Sequence, residues 1–294
     1  MEIIYEDCPW ERLGSSFKDN RSRELWQESV KLSVGVFKKL LTDKRSREPK
    51  LEPKASERKN GGRKMIGIIG AMEEEVAGLK QAMEVCETVE RAAMTFVKGT
   101  LCGKDVVVVR SGIGKVNAGI CAQILVDLFG VDALINTGVA GSLDAQIDIG
   151  DIVISTDAVQ HDMDVSALGD PVGQIPRLDT FAFPADEKLM EAARLANEKV
   201  NSDIRTFTGR VVSGDQFISG EEKKEYLVHT FAGKCAEMEG AAIAQAAYLN
   251  KIPYVIIRAI SDKADNSAVM DYSTFEKHAT EHLVRLMMDL LERL

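Results

Sequence analysis

Three short acidic segments of this chain have the residue types for chemistry: Met72-Glu73-Glu74-Glu75, Glu237-Met238-Glu239 and Ser261-Asp262. Each falls where an apolar, strand-like run ends or a helix begins. In an open α/β sheet the carboxyl ends of the strands share one edge, so carboxyl groups far apart in sequence meet there around one small ligand. Such groups can give or take a proton, activate water, or accept hydrogen bonds from hydroxyls. Each segment also has a plainer reading. Glutamate in the first turn of a helix is ordinary, Glu237 and Glu239 suit a solvated helix start, and Arg258 with Asp262 suits a structural ion pair. Asp262 stands out because it lies just past an apolar run, 254–260, with Ser261 beside it to orient it.

Two further motifs test weaker. Ser111-Gly112-Ile113-Gly114-Lys115-Val116-Asn117-Ala118 follows a strand-like run and opens a helical one. It fails the dinucleotide fingerprint, which needs glycine at Asn117, and the phosphate loop, which needs Ser or Thr after Lys115. What remains is a tight glycine turn that lets backbone approach a ligand. The His161-Asp162-x-Asp164 cluster reads as polar residues of an exposed loop, and His229, His278 and His282 sit on surface-like helical stretches. No metal site is expected.

The elements that must position these residues alternate from residue 65 onward. Strands are expected at 65–70, 95–101, 105–110, 133–136, 152–156, 209–213, 234–237 and 254–260, and helices at 73–83, 116–129, 187–198, 220–228, 240–250 and 274–294. The strand at 133–136 is expected to run into a turn, Thr137-Gly138-Val139-Ala140-Gly141. Residues 161–179, rich in Gly, Pro and Asp, form a long loop of the kind that covers a site or an interface. The apolar run at 254–260 marks a strand buried on both faces. The whole is one α/β domain of 230 residues, 65–294, around a largely parallel or mixed sheet.

Of the 294 residues 45% are hydrophobic, enough for a full core, and no run of eighteen apolar residues appears. The acidic start MEIIYEDCPWERL does not suit a signal peptide, and a cytoplasmic location is expected. The five cysteines are scattered without a C-x-x-C spacing, so they read as reduced thiols. Of the net charge of −9, residues 1–64 carry +5 (16 basic, 11 acidic), which leaves −14 for the rest. An acidic domain argues against nucleic-acid binding. Within the basic extension one amphipathic helix is expected over 21–41, carrying Trp26, Val30, Phe37, Leu40 and Leu41, followed by a solvated linker over 42–64. Purine-rich codons for Gly61-Gly62-Arg63 would make Met65 a candidate internal start.

Read in order, IGIIGAMEEEV, SGIGKVNAG, SGDQFI with AEMEGAAIA, and IRAISDKAD resemble the 5′-methylthioadenosine/S-adenosylhomocysteine nucleosidases of the nucleoside phosphorylase superfamily. The resemblance covers 65–294 and none of 1–64. It implies a three-layer α/β/α sandwich with a central mixed sheet, assembled as a homodimer. It also implies hydrolysis of the N9–C1′ bond of a 5′-thio-substituted adenosine, giving adenine and the 5-thioribose product, as in methionine salvage. No cofactor is required. Asp262, oriented by Ser261, would be the general acid at adenine N7, and the leaving base would depart neutral from an oxocarbenium-like ribose. Glu75, helped by Glu237, would position and activate water. Glu239 would accept hydrogen bonds from the ribose hydroxyls, with Met72 and Met238 packed against the sugar. Phe217 would stack on adenine, Ile218 would offer backbone groups to its edge, and Ile113 and Tyr272 would line the 5′ pocket. Arg258 would hold the acidic groups in place.

Two positions depart from the family pattern. Val139 stands where serine is common, leaving the backbone of Val139-Ala140-Gly141 to approach the nucleoside. Leu168 stands where a phenylalanine commonly reaches across the dimer to the partner's 5′ pocket, with Val165 and Pro176 beside it. Among rival readings, a phosphorylase would need cations where Met72–Glu75 is acidic. An aminofutalosine hydrolase would differ only in the 5′ pocket. A silent nucleoside-binding protein would have lost Glu75 or Asp262, and a nicotinamide-binding protein would need the glycine fingerprint that fails here.

Overall fold

The computed structural model describes residues 64–265 and 268–294, with the side chains of 269–279 outside that description. The helix expected over 21–41, the linker up to Arg63, and the side chains of Tyr272 and His278 therefore lie outside the described residues.

The described elements run β1 (Met65–Gly70), α1 (Glu73–Ala82), β2 (Glu84–Arg91), β3 (Met94–Leu101), β4 (Lys104–Arg110), α2 (Lys115–Ile124), β5 (Ala133–Ser142), β6 (Ile152–Gln160), β7 (Phe183–Pro184), α3 (Glu187–Val200), β8 (Thr206–Ser213), α4 (Glu221–Phe231), β9 (Cys235–Glu237), α5 (Gly240–Asn250), β10 (Tyr254–Asp262) and α6 (Ala268–Arg293). One mixed sheet joins the strands. From its edge it runs β2, β3, β4, β1, β5, with β4, β1 and β5 parallel. Beyond β5 the sheet closes on itself. β5 pairs in parallel with β10, β10 antiparallel with β6, β6 in parallel with β8, β8 in parallel with β9, and β9 antiparallel with β5 again.

Both faces of the sheet are covered, which is why its central strands read as apolar runs. Alternate residues face opposite ways along a strand. Ile66 and Ile68 of β1 and Val106 and Val108 of β4 pack with Leu79 of α1, Ala193 of α3 and Leu286 of α6. Their neighbours Ile69, Val107 and Val109 pack instead with Cys121 of α2 and the small side chains Ala241, Ala244 and Ala247 of α5. This is the expected three-layer α/β/α arrangement. Among the described residues no helix is long and apolar enough to cross a membrane.

Four local departures have physical causes. β2 has no counterpart in the sequence reading, because Glu84, Glu87 and Glu90 keep it exposed along its length. Charged side chains of this kind protect a sheet edge from adventitious pairing. The helix expected to run to Phe129 is α-helical only to Ile124, continues as a π-helical turn (Leu125–Phe129), and ends at Gly130 in the left-handed region (φ 62°). The turn expected at 137–141 is instead strand: β5 stays paired with β10 from Leu134 to Gly141. Its glycines permit this, since a Cβ at Gly138 would strike the Glu75 carboxylate and one at Gly141 would lie 2.7 Å from Asp262 Oδ1. The first residue of the 161–179 loop is not exposed: His161 is buried at the end of β6, its ring against Gly214.

Candidate active site

The carboxyl ends of β1, β5, β9 and β10 open into a cavity of about 380 Å³, within the range of small-ligand sites. Glu75, Glu237, Glu239 and Asp262 line it, each less than a tenth exposed. A larger groove of about 650 Å³ lies around Lys104, Asp132 and Pro253. Its three aspartates, Asp105, Asp132 and Asp186, lie among Lys64, Lys104, Lys188 and Arg293, and two have structural partners: Asp132 accepts the Met65 N–H and Asp186 caps α3.

Glu75 is the third residue of α1. Its Oε2 accepts the N–H of Ala71 (2.6 Å) and Met72 (3.0 Å), and its Oε1 accepts the N–H of Val139 (3.0 Å). A carboxylate offers about four lone-pair positions, so a single position is left beyond these three for a further donor. Burial pushes its pKa up, against the charge of Arg258 and the three backbone donors.

Glu237 is saturated. It accepts from Ser213 Oγ, from Arg258 Nη2, from the N–H of Glu239 (3.1 Å) and from the N–H of Gly240 (2.8 Å). It thereby caps α5, where a carboxylate also meets the positive end of the helix. Burial would raise its pKa, but Arg258, Ser213 and the Gly240 N–H outweigh that and hold it below the usual range. Arg258, 2% exposed, also donates to Asn136 Oδ1 (2.5 Å). Burial opposes its charge, and Glu237, Glu75 and Glu239 together retain it.

Glu239, at the N-cap of α5, accepts the N–H of Gly114 at 2.7 Å. Burial, reinforced by the neighbouring charge of Glu237, pushes its pKa up to about 8. Asp262 ends β10. Its Oδ2 accepts from Ser261 Oγ (2.9 Å) and its Oδ1 from the Ala264 N–H (2.8 Å). Ser261 Oγ also lies 3.4 Å from the carbonyl oxygen of Ala140. The site thus combines a hydroxyl-oriented aspartate, a buried glutamate with an open lone pair, and a glutamate that burial disposes to hold a proton.

Apolar walls complete the cavity. Met72, Met238, Ile113 and Phe217 line it, and Val139, Ala140 and Gly141 supply its β5 side. Ala71 and Ala236 line it as well, small residues with no chemical signal in the sequence. Ile218 does not; its side chain is buried with Leu227 and Phe231. Val165, Leu168 and Pro176 lie on the 161–179 loop and do not line the cavity, and Leu168 is 85% exposed. No Lys or Arg is among the described lining residues. Nor do the described residues contain a group of three or more His, Cys, Asp or Glu that would hold a metal. Ser213 and Asn136 were not singled out from sequence, although Ser213 opens the SGDQFI block.

The family model described as "Phosphorylase superfamily" matches residues 65–292. A 5′-methylthioadenosine/S-adenosylhomocysteine nucleosidase of Shewanella pealeana is 41% identical over 230 residues, 78% of this chain and 99% of that protein. The crystal structure of the nucleosidase of the same name from Neisseria meningitidis, in complex with methylthio-immucillin-A, matches with a TM-score of 0.76 at 38% identity. That match covers 79% of this chain and 100% of the other. The native structure of futalosine hydrolase of Helicobacter pylori matches with a TM-score of 0.74 at 32% identity, over 79% of this chain and 98% of that one.

Proposed function

As a member of the phosphorylase superfamily, and within it of the 5′-methylthioadenosine/S-adenosylhomocysteine nucleosidases, the chain is an N-glycosyl hydrolase, and we propose that residues 65–294 form its catalytic domain. The observation that carries the site assignment is the convergence of Glu75, Glu239 and Asp262 from separate elements on one cavity with no Lys or Arg among its described lining residues. Phosphate, a dianion, would find no Lys or Arg among the described lining residues to neutralise it, whereas water needs none. Hydrolysis rather than phosphorolysis follows.

In this reading Asp262 donates its proton to N7 of adenine, so that the base leaves neutral while the ribose ring oxygen takes up positive charge. The Ser261 hydroxyl holds that carboxyl in plane. Glu75 keeps one lone-pair position for the attacking water and takes its proton as the bond to C1′ forms. Glu237 works indirectly, because its own lone pairs are taken; it fixes Arg258 and the start of α5, and hence Glu239. Glu239, giving up to solvent the proton that burial favours in the empty site, accepts the 2′- and 3′-hydroxyls, which two carboxylate oxygens can do together. Phe217 stacks on the base, Ile218 offers backbone to its edge, and Met72 and Met238 pack the sugar. Ile113 and Tyr272 enclose the 5′ substituent.

The enzyme acts as a homodimer in this proposal, with Val165, Leu168 and Pro176 of each copy closing the partner's 5′ pocket. Support comes from apolar side chains left exposed: Val116 and Ile120 on α2, Leu249 on α5, and Leu168 on the loop. Its place is the cytoplasm, in methionine salvage. The test is to incubate the protein with methylthioadenosine and follow free adenine by chromatography, with and without phosphate. Adenine release independent of phosphate is expected; release only with phosphate, or none, would overturn the hydrolase reading. Aminofutalosine is the competing substrate to run in parallel, given the likeness to a futalosine hydrolase.

A further inference from the structure

Outside the cavity, three charged residues close a ring that the chemistry above does not use. Lys115, the first residue of α2, places its Nζ 2.5 Å from Asp162 Oδ1 and 3.0 Å from Gln160 Oε1. The other oxygen of Asp162 accepts the N–H of Asp215 at 2.9 Å. Asp215 Oδ1 in turn accepts the N–H of Lys115 at 2.8 Å. The Lys115 and Asp162 side chains are each only 16% exposed, so this pair is more sheltered from water and salt than an ordinary surface bridge.

The ring joins three segments distant in sequence: the glycine turn after β4, the end of β6, and the segment after β8. None of its members lines the cavity, but their neighbours do. Ile113 lies two residues before Lys115 and Phe217 two residues after Asp215. Gly114, between Ile113 and Lys115, gives its N–H to Glu239. Gly114 itself sits at φ +97°, and a Cβ there would come within 3.1 Å of Asp215 Oδ1, so a side chain at this turn would be strained and would crowd Asp215. On the far side Gln160 Nε2 donates to Gln245 Oε1 of α5 (2.5 Å), the helix that Glu239 begins. His161 lies beneath, its ring against Gly214.

We infer that Lys115 is a positioning residue that sets the affinity of the site for its nucleoside, by tying the Ile113 turn, the Phe217 segment and the Gly114 N–H into one rigid rim through Asp162 and Asp215. The inference rests on the nucleosidase reading for the identity of the ligand. A rim residue acts on binding in ground state and transition state alike, so its loss raises KM without lowering kcat. A residue that merely held the fold would change both, or neither.

The test compares wild type with Lys115→Met, Lys115→Arg and Asp162→Asn. Measured are KM and kcat for methylthioadenosine, the calorimetric Kd for free adenine, and the unfolding midpoint. Removing a charge-assisted hydrogen bond is expected to raise KM and the adenine Kd about tenfold in Lys115→Met, with kcat within about threefold of wild type. Lys115→Arg, which keeps the charge, stays near wild type. KM and adenine Kd within about twofold of wild type in a folded Lys115→Met would overturn the inference. So would a fall in kcat at constant KM, or an Arg variant as impaired as the Met variant. Should Lys115→Met fail to fold, Asp162→Asn carries the same comparison. A wild type that releases no adenine from methylthioadenosine sinks the hydrolase reading, while the adenine Kd still tests the rim.

Discussion

The backbone N–H of Gly114 donates to Glu239 Oε1 at 2.7 Å, joining the glycine turn before α2 to the N-cap of α5 across 125 residues of sequence. The acceptor is a carboxyl group that burial and the charge of Glu237 push up to about 8. That combination makes the free site a store of unfavourable charge at alkaline pH.

Glu239→Gln should therefore change how stability depends on pH. With a raised folded-state value, the native chain holds a proton that the unfolded chain has released. The stability linked to Glu239 is then fully present below the ordinary glutamate value and is lost as pH rises through about 8. The amide still accepts the Gly114 N–H but carries no titratable proton. Urea unfolding from about pH 5 to about pH 9 should show the variant gaining on wild type as pH rises. A constant difference across that range would refute the raised value.

Asp262→Asn removes the proton to be delivered to N7 and keeps the shape of the side chain. Turnover of methylthioadenosine should fall by about 10²–10⁴, the usual worth of general acid catalysis. The substrate should still bind, and calorimetry with the intact nucleoside should show it. Near-normal turnover would remove Asp262 from the acid role.

How much of this was legible beforehand follows from what each residue signals. The acids were readable because carboxylates at strand ends are costly to bury unless they work or pair, and the apolar run before Asp262 announced a fully buried strand. Arg258 was readable as their companion. Asn136, which accepts from Arg258, and Ser213, which donates to Glu237, were not, since a buried amide or hydroxyl looks the same in sequence as an exposed one. The extended course of β5 through Gly138 and Gly141 was hidden because glycines ordinarily mark turns; the approach of the Glu75 carboxylate to the first and of Asp262 to the second explains them. β2 was missed because an edge strand coated with glutamates has none of the alternation that betrays a half-buried strand.

Glu75→Gln should abolish hydrolysis, because the amide cannot take a proton from water; its one oxygen can keep the Ala71 and Met72 N–H but then turns the NH2 toward the Val139 N–H, so a modest loss of stability should accompany it. In wild type the acid limb of the pH–rate profile should lie above the ordinary carboxylate range, in the direction burial pushes Glu75. Rates fall as pH drops through that value, since the base must be ionised. A Gln variant with near-normal rates would move the role to another group.

Arg258→Met leaves Glu237 buried without its cation, in contact with Glu239 through the same helix start. Breaking one side of a buried pair costs about 3–5 kcal/mol, and urea unfolding should show a loss of that size. Adding Glu237→Gln to Arg258→Met should recover part of it, since the amide removes the unpaired charge while its oxygen can still accept the Glu239 and Gly240 N–H. If the double variant is less stable than the single by a further comparable amount, the pair is not the unit that matters.

Val139→Ser tests the β5 side of the cavity. Val139 is among the residues lining it, its N–H committed to Glu75 and its side chain packed partly against the core, so a serine hydroxyl there would add a hydrogen-bonding group beside the ligand without disturbing the base. A neutral hydrogen bond contributes about 0.5–1.5 kcal/mol, which corresponds to a KM lower by about 2- to 10-fold with kcat unchanged. The same substitution exchanges a branched apolar group for a smaller polar one at a half-buried strand position, and a small drop in thermal midpoint should accompany it. A KM that rises instead would mean that the valine methyls themselves contact the nucleoside, and that this pocket gains affinity from apolar packing at Val139 rather than from a hydroxyl.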